Sequence, residues 1–198
     1  MRKFLIVMAV LVISFSAVAK RDFAVYSELR CENNKCFDLE SDEPFTGEVR
    51  SYYDNGVVKS SVEYKDGLKD GATHYFYGNG NEKRQEVYTN GVIHGMITEY
   101  YDNGNLKFEV EFDNGMRNGA FRSYYEDGQL KVEEEYINGK KEGRARKYSN
   151  RGKLAREAFF ENGKLLGGVC ISFDGKKSNI TQEMINAYNK IGVVPCDK

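Results

Sequence analysis

Glycine stands at Gly47, Gly71, Gly95, Gly119, Gly143 and Gly167, twenty-four residues apart at every step. A fixed period in this range marks stacked supersecondary units that share one continuous core, so it restricts the chain to a repeat array before any other residue is interpreted. Two further series keep the step: Gly56, Gly80, Gly104, Gly128 and Gly152, and Gly67, Gly91, Gly115, Gly139 and Gly163. Five units follow one another without an insertion.

The grammar within a unit is two strands and two turns, seen in the stretch from Tyr100 to Gly115. Leu106, Phe108, Val110 and Phe112 alternate with Lys107, Glu109 and Glu111, the period of two of a strand with one buried and one wet face. Asn-Gly or Asp-Gly closes every turn except Arg151-Gly152, which we attribute to the left-handed backbone that a tight hairpin imposes and that Asn and Asp tolerate best. Aromatic residues repeat as strictly, at Tyr52, Phe76, Tyr100, Tyr124 and Tyr148 on the first strand and at Tyr64, Tyr88, Phe112, Tyr136 and Phe160 on the second. The expected architecture is all-β, an elongated array of antiparallel β-hairpins in a twisted meander sheet with a short C-terminal helical cap. The second unit looks weakest, because Glu82, Arg84 and Glu86 stand where the next unit has Leu106, Phe108 and Val110.

The recurring Tyr-Tyr-x-Asn-Gly, Lys, Tyr/Phe-x-Asn-Gly and Gly elements, from Pro44-Phe45-Thr46-Gly47 to about Gly167, resemble the bacterial variant of the MORN repeat, as in YwqK-like proteins labelled antitoxin components. The resemblance implies a meander of β-hairpins, a role in protein contacts, and no catalytic residues to carry over.

Around the array lie two caps and a leader. Residues 1–19 have the form of an export signal, with Arg2 and Lys3, an apolar run from Phe4 to Val18, and a small-x-small cleavage site at Ala17-Val18-Ala19. As an uncleaved anchor the run falls short of the ~20 residues that span a bilayer. The mature chain is then exported to the periplasm, cell surface or medium, and an immunity role would have to act on a toxin in the envelope. Four cysteines, in pairs at the two ends, fit that compartment, and of three possible pairings Cys31 with Cys36 and Cys170 with Cys196 join local neighbours. Zinc is disfavoured by the spacing of Cys31 and Cys36 and by the remote His74 and His94. Residues 20–44 read as an N-terminal hairpin cap, with strands Val25 to Cys31 and Cys36 to Leu39. Residues 45–166 are the five units, and 167–198 a partial unit plus a helix from Asn179 to Ile191 capped by Asn179 or Thr181, with Ile180, Met184, Ile185, Tyr188 and Ile191 on one face and Gly192 and Pro195 ending it.

The formal charge of −1, or −3 without Arg2 and Lys3, gives no electrostatic footprint for nucleic acid. No nucleophile elbow, phosphate loop or metal-ligand helix is present, so no catalytic residue, cofactor or metal is expected. One local feature stands out: Lys140, Lys141, Arg144, Arg146, Lys147, Arg151, Lys153 and Arg156 against the single acid Glu142, preceded by the acid-rich stretch Glu126 to Glu135. Either these charges pair across neighbouring strands or the fifth unit docks an anionic partner such as envelope lipid, anionic glycan or an acidic protein. The expected function is an exported, non-catalytic module that binds or scaffolds another protein. The alternatives are an envelope immunity protein that neutralises a toxin and a surface factor that binds anionic lipid or glycan.

Overall fold

The structure is a computed structural model that describes residues 23–172, 174–192 and 196. The expected leader and Pro195 lie outside the described residues, as does the side chain of Ile191. In chain order the strands are β1 (Ala24–Val25), β2 (Leu29–Glu32), β3 (Lys35–Asp38), β4 (Gly47–Tyr52), β5 (Val58–Lys65), β6 (Leu68–Phe76), β7 (Glu82–Thr89), β8 (Val92–Ile93), β9 (Gly95–Tyr100), β10 (Leu106–Asp113), β11 (Met116–Tyr124), β12 (Leu130–Ile137), β13 (Lys140–Tyr148), β14 (Leu154–Glu161), β15 (Lys164–Ile171) and β16 (Lys177–Asn179), followed by helix α1 (Gln182–Ile191). Among the described residues, all strands but β2 and β3 join one meandering sheet of fourteen. The fold is therefore the expected all-β array with a C-terminal helix.

Alternation sorts the side chains onto two faces. On one, the middle row runs Val49, Val62, Thr73, Glu86, Ile97, Val110, Phe121, Glu134, Ala145 and Ala158, and every member except Phe121 is buried. Beside it on this covered face stand Tyr64, Tyr88, Phe112, Tyr136 and Phe160. The opposite, open face carries Arg50, Ser61, His74, Gln85, Thr98, Glu109, Arg122, Glu133, Arg146 and Glu157 in one cross-sheet row, all of them half-buried. The two aromatic series of the sequence thus lie on opposite faces, since Tyr52, Phe76, Tyr100, Tyr124 and Tyr148 share the parity of the open-face row. Register shifts recur in nearly every strand pair, so the extra twist that each bulge adds is distributed along the whole sheet.

The twenty-four-residue glycine is required twice over. Gly71 and Gly119 have φ of +104° and +119°, and the carboxylates of Glu63 and Glu111 fill the space where their β-carbons would be. In the sixth unit the requirement moves one place: Gly167 does not adopt positive φ, while Gly168 does, at +151°, and a β-carbon there would collide with the backbone of Glu157 and Ala158. The sequence period continues past the point at which the structure has slipped.

The turns use Asn and Asp for two different reasons. Where β5 meets β6, and at the equivalent turns up to Asn162-Gly163, Asp66, Asn90, Asn114, Asn138 and Asn162 take φ of about +50° beside a left-handed glycine, as expected of tight hairpins. At the other margin Asn55, Asn79, Asn103 and Asp127 do not adopt positive φ. Their side chains instead accept the N–H two residues on, at 2.9 to 3.1 Å. This corrects the single explanation given above, and it shows why Arg151 is tolerated: the left-handed residue of this turn is Gly152, position 151 itself needs no positive φ, and Ser149 Oγ accepts from Arg151 and Lys153 N–H.

Both ends are closed. Cys31 and Cys36 face each other across the β2–β3 hairpin and are bonded, and the hairpin hangs on the first unit through Cys36 N–H to Gly67 O at 2.8 Å. The first strand of that hairpin is shorter than expected, because Ala24 and Val25 pair in parallel with Val49 and Arg50 on the sheet's first edge and Tyr26–Glu28 form a 3-10 turn. At the far end Ile180, Met184, Ile185 and Tyr188 pack on Ala158, Phe160 and Leu165, and Cys170 is bonded to Cys196. Helix α1 starts at Thr181, whose hydroxyl accepts Met184 N–H, and stops at left-handed Gly192. Asn179 belongs to β16 rather than to the helix cap.

Gly71→Ala should cost about 1 to 3 kcal/mol through strain and displacement of Glu63, whereas Gly143→Ala, at φ +65° with open space around it, should cost less. Urea denaturation of both variants checks this; equal losses would mean that backbone angle alone fixes the period.

Candidate functional site

Consecutive units are tied at both margins of the sheet. On one side Tyr53, Tyr77, Tyr101 and Tyr125 donate to the carbonyls of Phe76, Tyr100, Tyr124 and Tyr148, each twenty-three residues on, at 2.7 to 2.9 Å. Lys59, Lys83, Lys107 and Lys131 stand over these same rings at 5.3 to 5.8 Å, which gives the one-per-unit lysine a structural place. In the fifth unit Ser149 and Ala155 replace both partners together. On the other side Gly67, Gly91, Gly115, Gly139 and Gly163 donate to carbonyls twenty-two residues back at 2.7 to 2.9 Å. The sequence reading missed the tyrosine ladder, although the doubled Tyr of Tyr-Tyr-x-Asn-Gly was its signal.

The covered face holds two carboxylates that hydrophobic patterning does not anticipate. Glu86 accepts from Tyr88 Oη at 2.8 Å and Arg84 Nε at 2.6 Å. Glu134 repeats the scheme with Tyr136 Oη at 2.8 Å and Lys141 Nζ at 2.6 Å. Each buried charge is thus paired and hydrogen-bonded, the condition under which burial is tolerated. Burial, reinforced by Glu134, pushes the Tyr136 phenol up to about 12, and burial with Glu86 also raises Tyr88. In the second unit the network extends from Arg84 to Glu99 at 3.1 Å and on to Lys107 at 2.8 Å. Burial opposes the ionisation of Glu99, but bonds from Lys107 and Arg84 outweigh it and hold its carboxyl below the ordinary range. The second unit therefore exchanges an apolar strip for a connected polar one, and Arg84 still covers the Phe108 ring at 5.7 Å.

On the open face the middle row becomes an ion ladder. Arg122 bridges Glu109 at 3.4 Å and Glu133 at 3.6 Å, and Arg146 bridges Glu133 at 3.5 Å and Glu157 at 3.2 Å. Arg144 joins it at Glu157, 3.2 Å away, and lies over Phe159. Tyr124 Oη donates to Glu109, which links the ladder to the Tyr row.

The eight basic residues of the fifth unit do not form one patch. Arg144 and Arg146 sit in the open-face ladder, Lys141 reaches Glu134 and the Phe160 ring on the covered face, and Lys147 is paired in register with Arg156 on that same face. Lys140 and Lys153 are exposed at opposite margins and Arg151 lies in a turn. Strand alternation is the reason: neighbours in sequence face opposite ways. Each histidine has an acid partner of its own, His74 with Glu82 at 2.5 Å and His94 with Asp113 at 3.2 Å, and they do not converge. Among the described residues no group of three or more His, Cys, Asp or Glu is placed to hold a metal, and no helix is long and apolar enough to cross a membrane.

Tyr136 has its protonated form favoured in the folded state, so its contribution is complete below the unfolded value of ~10 and disappears as pH rises through about 12. Tyr136→Phe should lose about 1 to 3 kcal/mol at pH 7 by leaving Glu134 short of a donor, and the gap from wild type should close between those two pH values. Urea melts across that range provide the check.

Comparison with known proteins bears on the repeat alone. No curated protein matches the chain. A crystal structure of a GtfA/B complex bound to UDP and GlcNAc aligns with 13% identity over 64% of this chain and 22% of that one, with a TM-score of 0.23, too low to support any argument. The second unit, with its polar network, falls between the segments matched by a repeat profile. Those segments, residues 45–66, 93–114, 117–138 and 141–162, match the MORN repeat variant.

Proposed function

We propose that this chain is an exported, non-catalytic module that binds another protein, and that the partner lies along the open face. The observation that carries this reading is the composition of that face. Tyr100, Tyr124 and Tyr148 run beside a row containing Arg122 and Arg146, all half-buried, on a face against which no second sheet packs among the described residues. Tyrosine and arginine are the residue types that most often anchor protein interfaces, because each offers a large rigid surface with a polar end. The two disulfides suit an oxidising compartment and support export, together with the leader-like residues 1–19.

An immunity protein that neutralises an envelope toxin is one form of this function and would use the same surface. Anionic lipid or glycan as the partner is less well supported than the count of basic residues suggests, since Lys141, Arg144 and Arg146 already have acidic partners.

Affinity capture from an envelope fraction tests the reading. Tyr100→Ala combined with Arg122→Ala should fold as wild type and lose captured protein at least tenfold, because hot-spot truncations cost about 2 kcal/mol or more. A Lys140→Glu, Lys153→Glu variant should capture normally. The reverse pattern would move the site to the basic margins and favour an anionic partner.

A further inference from the structure

The last long strand of the sheet, β15, is closed by an unusual device. Its outer edge is paired with β16 only over Val169, Cys170 and Ile171, which leaves Lys164 to Gly168 without a neighbouring strand. Two contacts cover that gap. Ile180 N–H donates to Gly168 O at 2.9 Å, and the Asn189 side-chain amide takes both groups of Leu165, accepting its N–H at 2.9 Å and donating to its carbonyl at 3.3 Å. The amide of Asn189 thus stands in for the peptide group of a missing strand. It is held there by α1, which packs through Met184, Ile185 and Tyr188 and is tethered by the Cys170–Cys196 bond.

We propose that the β15 edge is a latent pairing surface for a second copy of this chain, locked by Asn189 and the Cys170–Cys196 bridge and opened by thiol reduction. An uncovered edge offers a row of N–H and C=O groups to any strand that fits. The same edge of another copy fits by symmetry, in an antiparallel pair about a two-fold axis. Centred on Leu165, whose N–H and C=O both point outward, such a pair sets Leu165 against its mate and Lys164 against Leu166, so no like charges oppose each other. Leu166 is 56% exposed in the single chain, a large apolar side chain at this edge. Opening takes two electrons and two protons from a dithiol reductant, which leaves as its disulfide while Cys170 and Cys196 become thiols. The helix then has only its short apolar face to hold it.

The test uses the full mature chain, as wild type with and without a dithiol reductant and as Cys170→Ser, Cys196→Ser, Asn189→Ala. Analytical ultracentrifugation should find oxidised wild type monomeric and the triple variant associating at least tenfold more strongly, with reduced wild type between them. Adding Leu166→Lys to the triple variant should restore the monomer, because the introduced lysine then opposes Lys164 of the other copy. Hydrogen exchange at the Leu165 amide reports the lock itself. An exposed Leu165 amide in a chain that stays monomeric at every concentration would overturn the pairing surface, and a protected one in the triple variant at dilutions where it is monomeric would overturn the lock. Association that Leu166→Lys leaves unchanged would place the contact elsewhere and also sink the proposal.

Discussion

A single-layered sheet has no second layer to shelter its turns, and here each unit provides that shelter for the next. The bonds from Tyr53, Tyr77, Tyr101 and Tyr125 to carbonyls one unit ahead, and from the turn glycines to carbonyls one unit behind, close the two long margins. A typical bond of this kind contributes only about 1 kcal/mol, but it recurs at every junction and fixes the register there. The side chains between the margins can then vary widely, since alignment does not depend on them.

That freedom is used on the covered face. A strict apolar stripe is replaced in two units by a glutamate with its own tyrosine and cation, and the strand stays buried. On the open face, charges that an isolated strand would leave in water are arranged as alternating rungs from Glu109 to Glu157. Exposed pairs are individually weak, so the ladder's main effect is to orient Arg122 and Arg146 rather than to hold the sheet together. An arginine already aligned loses less freedom when a partner arrives.

The period, the hairpins, the strand alternation and the helical end were legible in the sequence because each depends on local backbone chemistry that glycine, asparagine and alternating apolar residues report directly. Less legible was anything that required knowing the face. Lys140 to Arg156 reads as one basic cluster along the chain but is divided between two faces and two margins. Glu82, Arg84 and Glu86 read as lost packing because only the fold brings Glu82 to His74, Glu86 to Tyr88, and Arg84 to Glu99 of the following unit. Gly167 kept the sequence period while Gly168 took over the strained conformation, a shift of one residue that only the pairing with Ala158 reveals.

The buried glutamates also give the array a parity. Along the covered row the equivalent positions are Val62, Glu86, Val110, Glu134 and Ala158, so apolar and carboxylate units alternate and the apolar kind stands at both ends. Each cap meets an apolar unit: the N-terminal hairpin packs with Val62 and the C-terminal helix with Ala158. The natural increment of growth or loss for this architecture is therefore two units, forty-eight residues, and not one. An array of even count that kept this alternation would bring a carboxylate unit against one of its own caps.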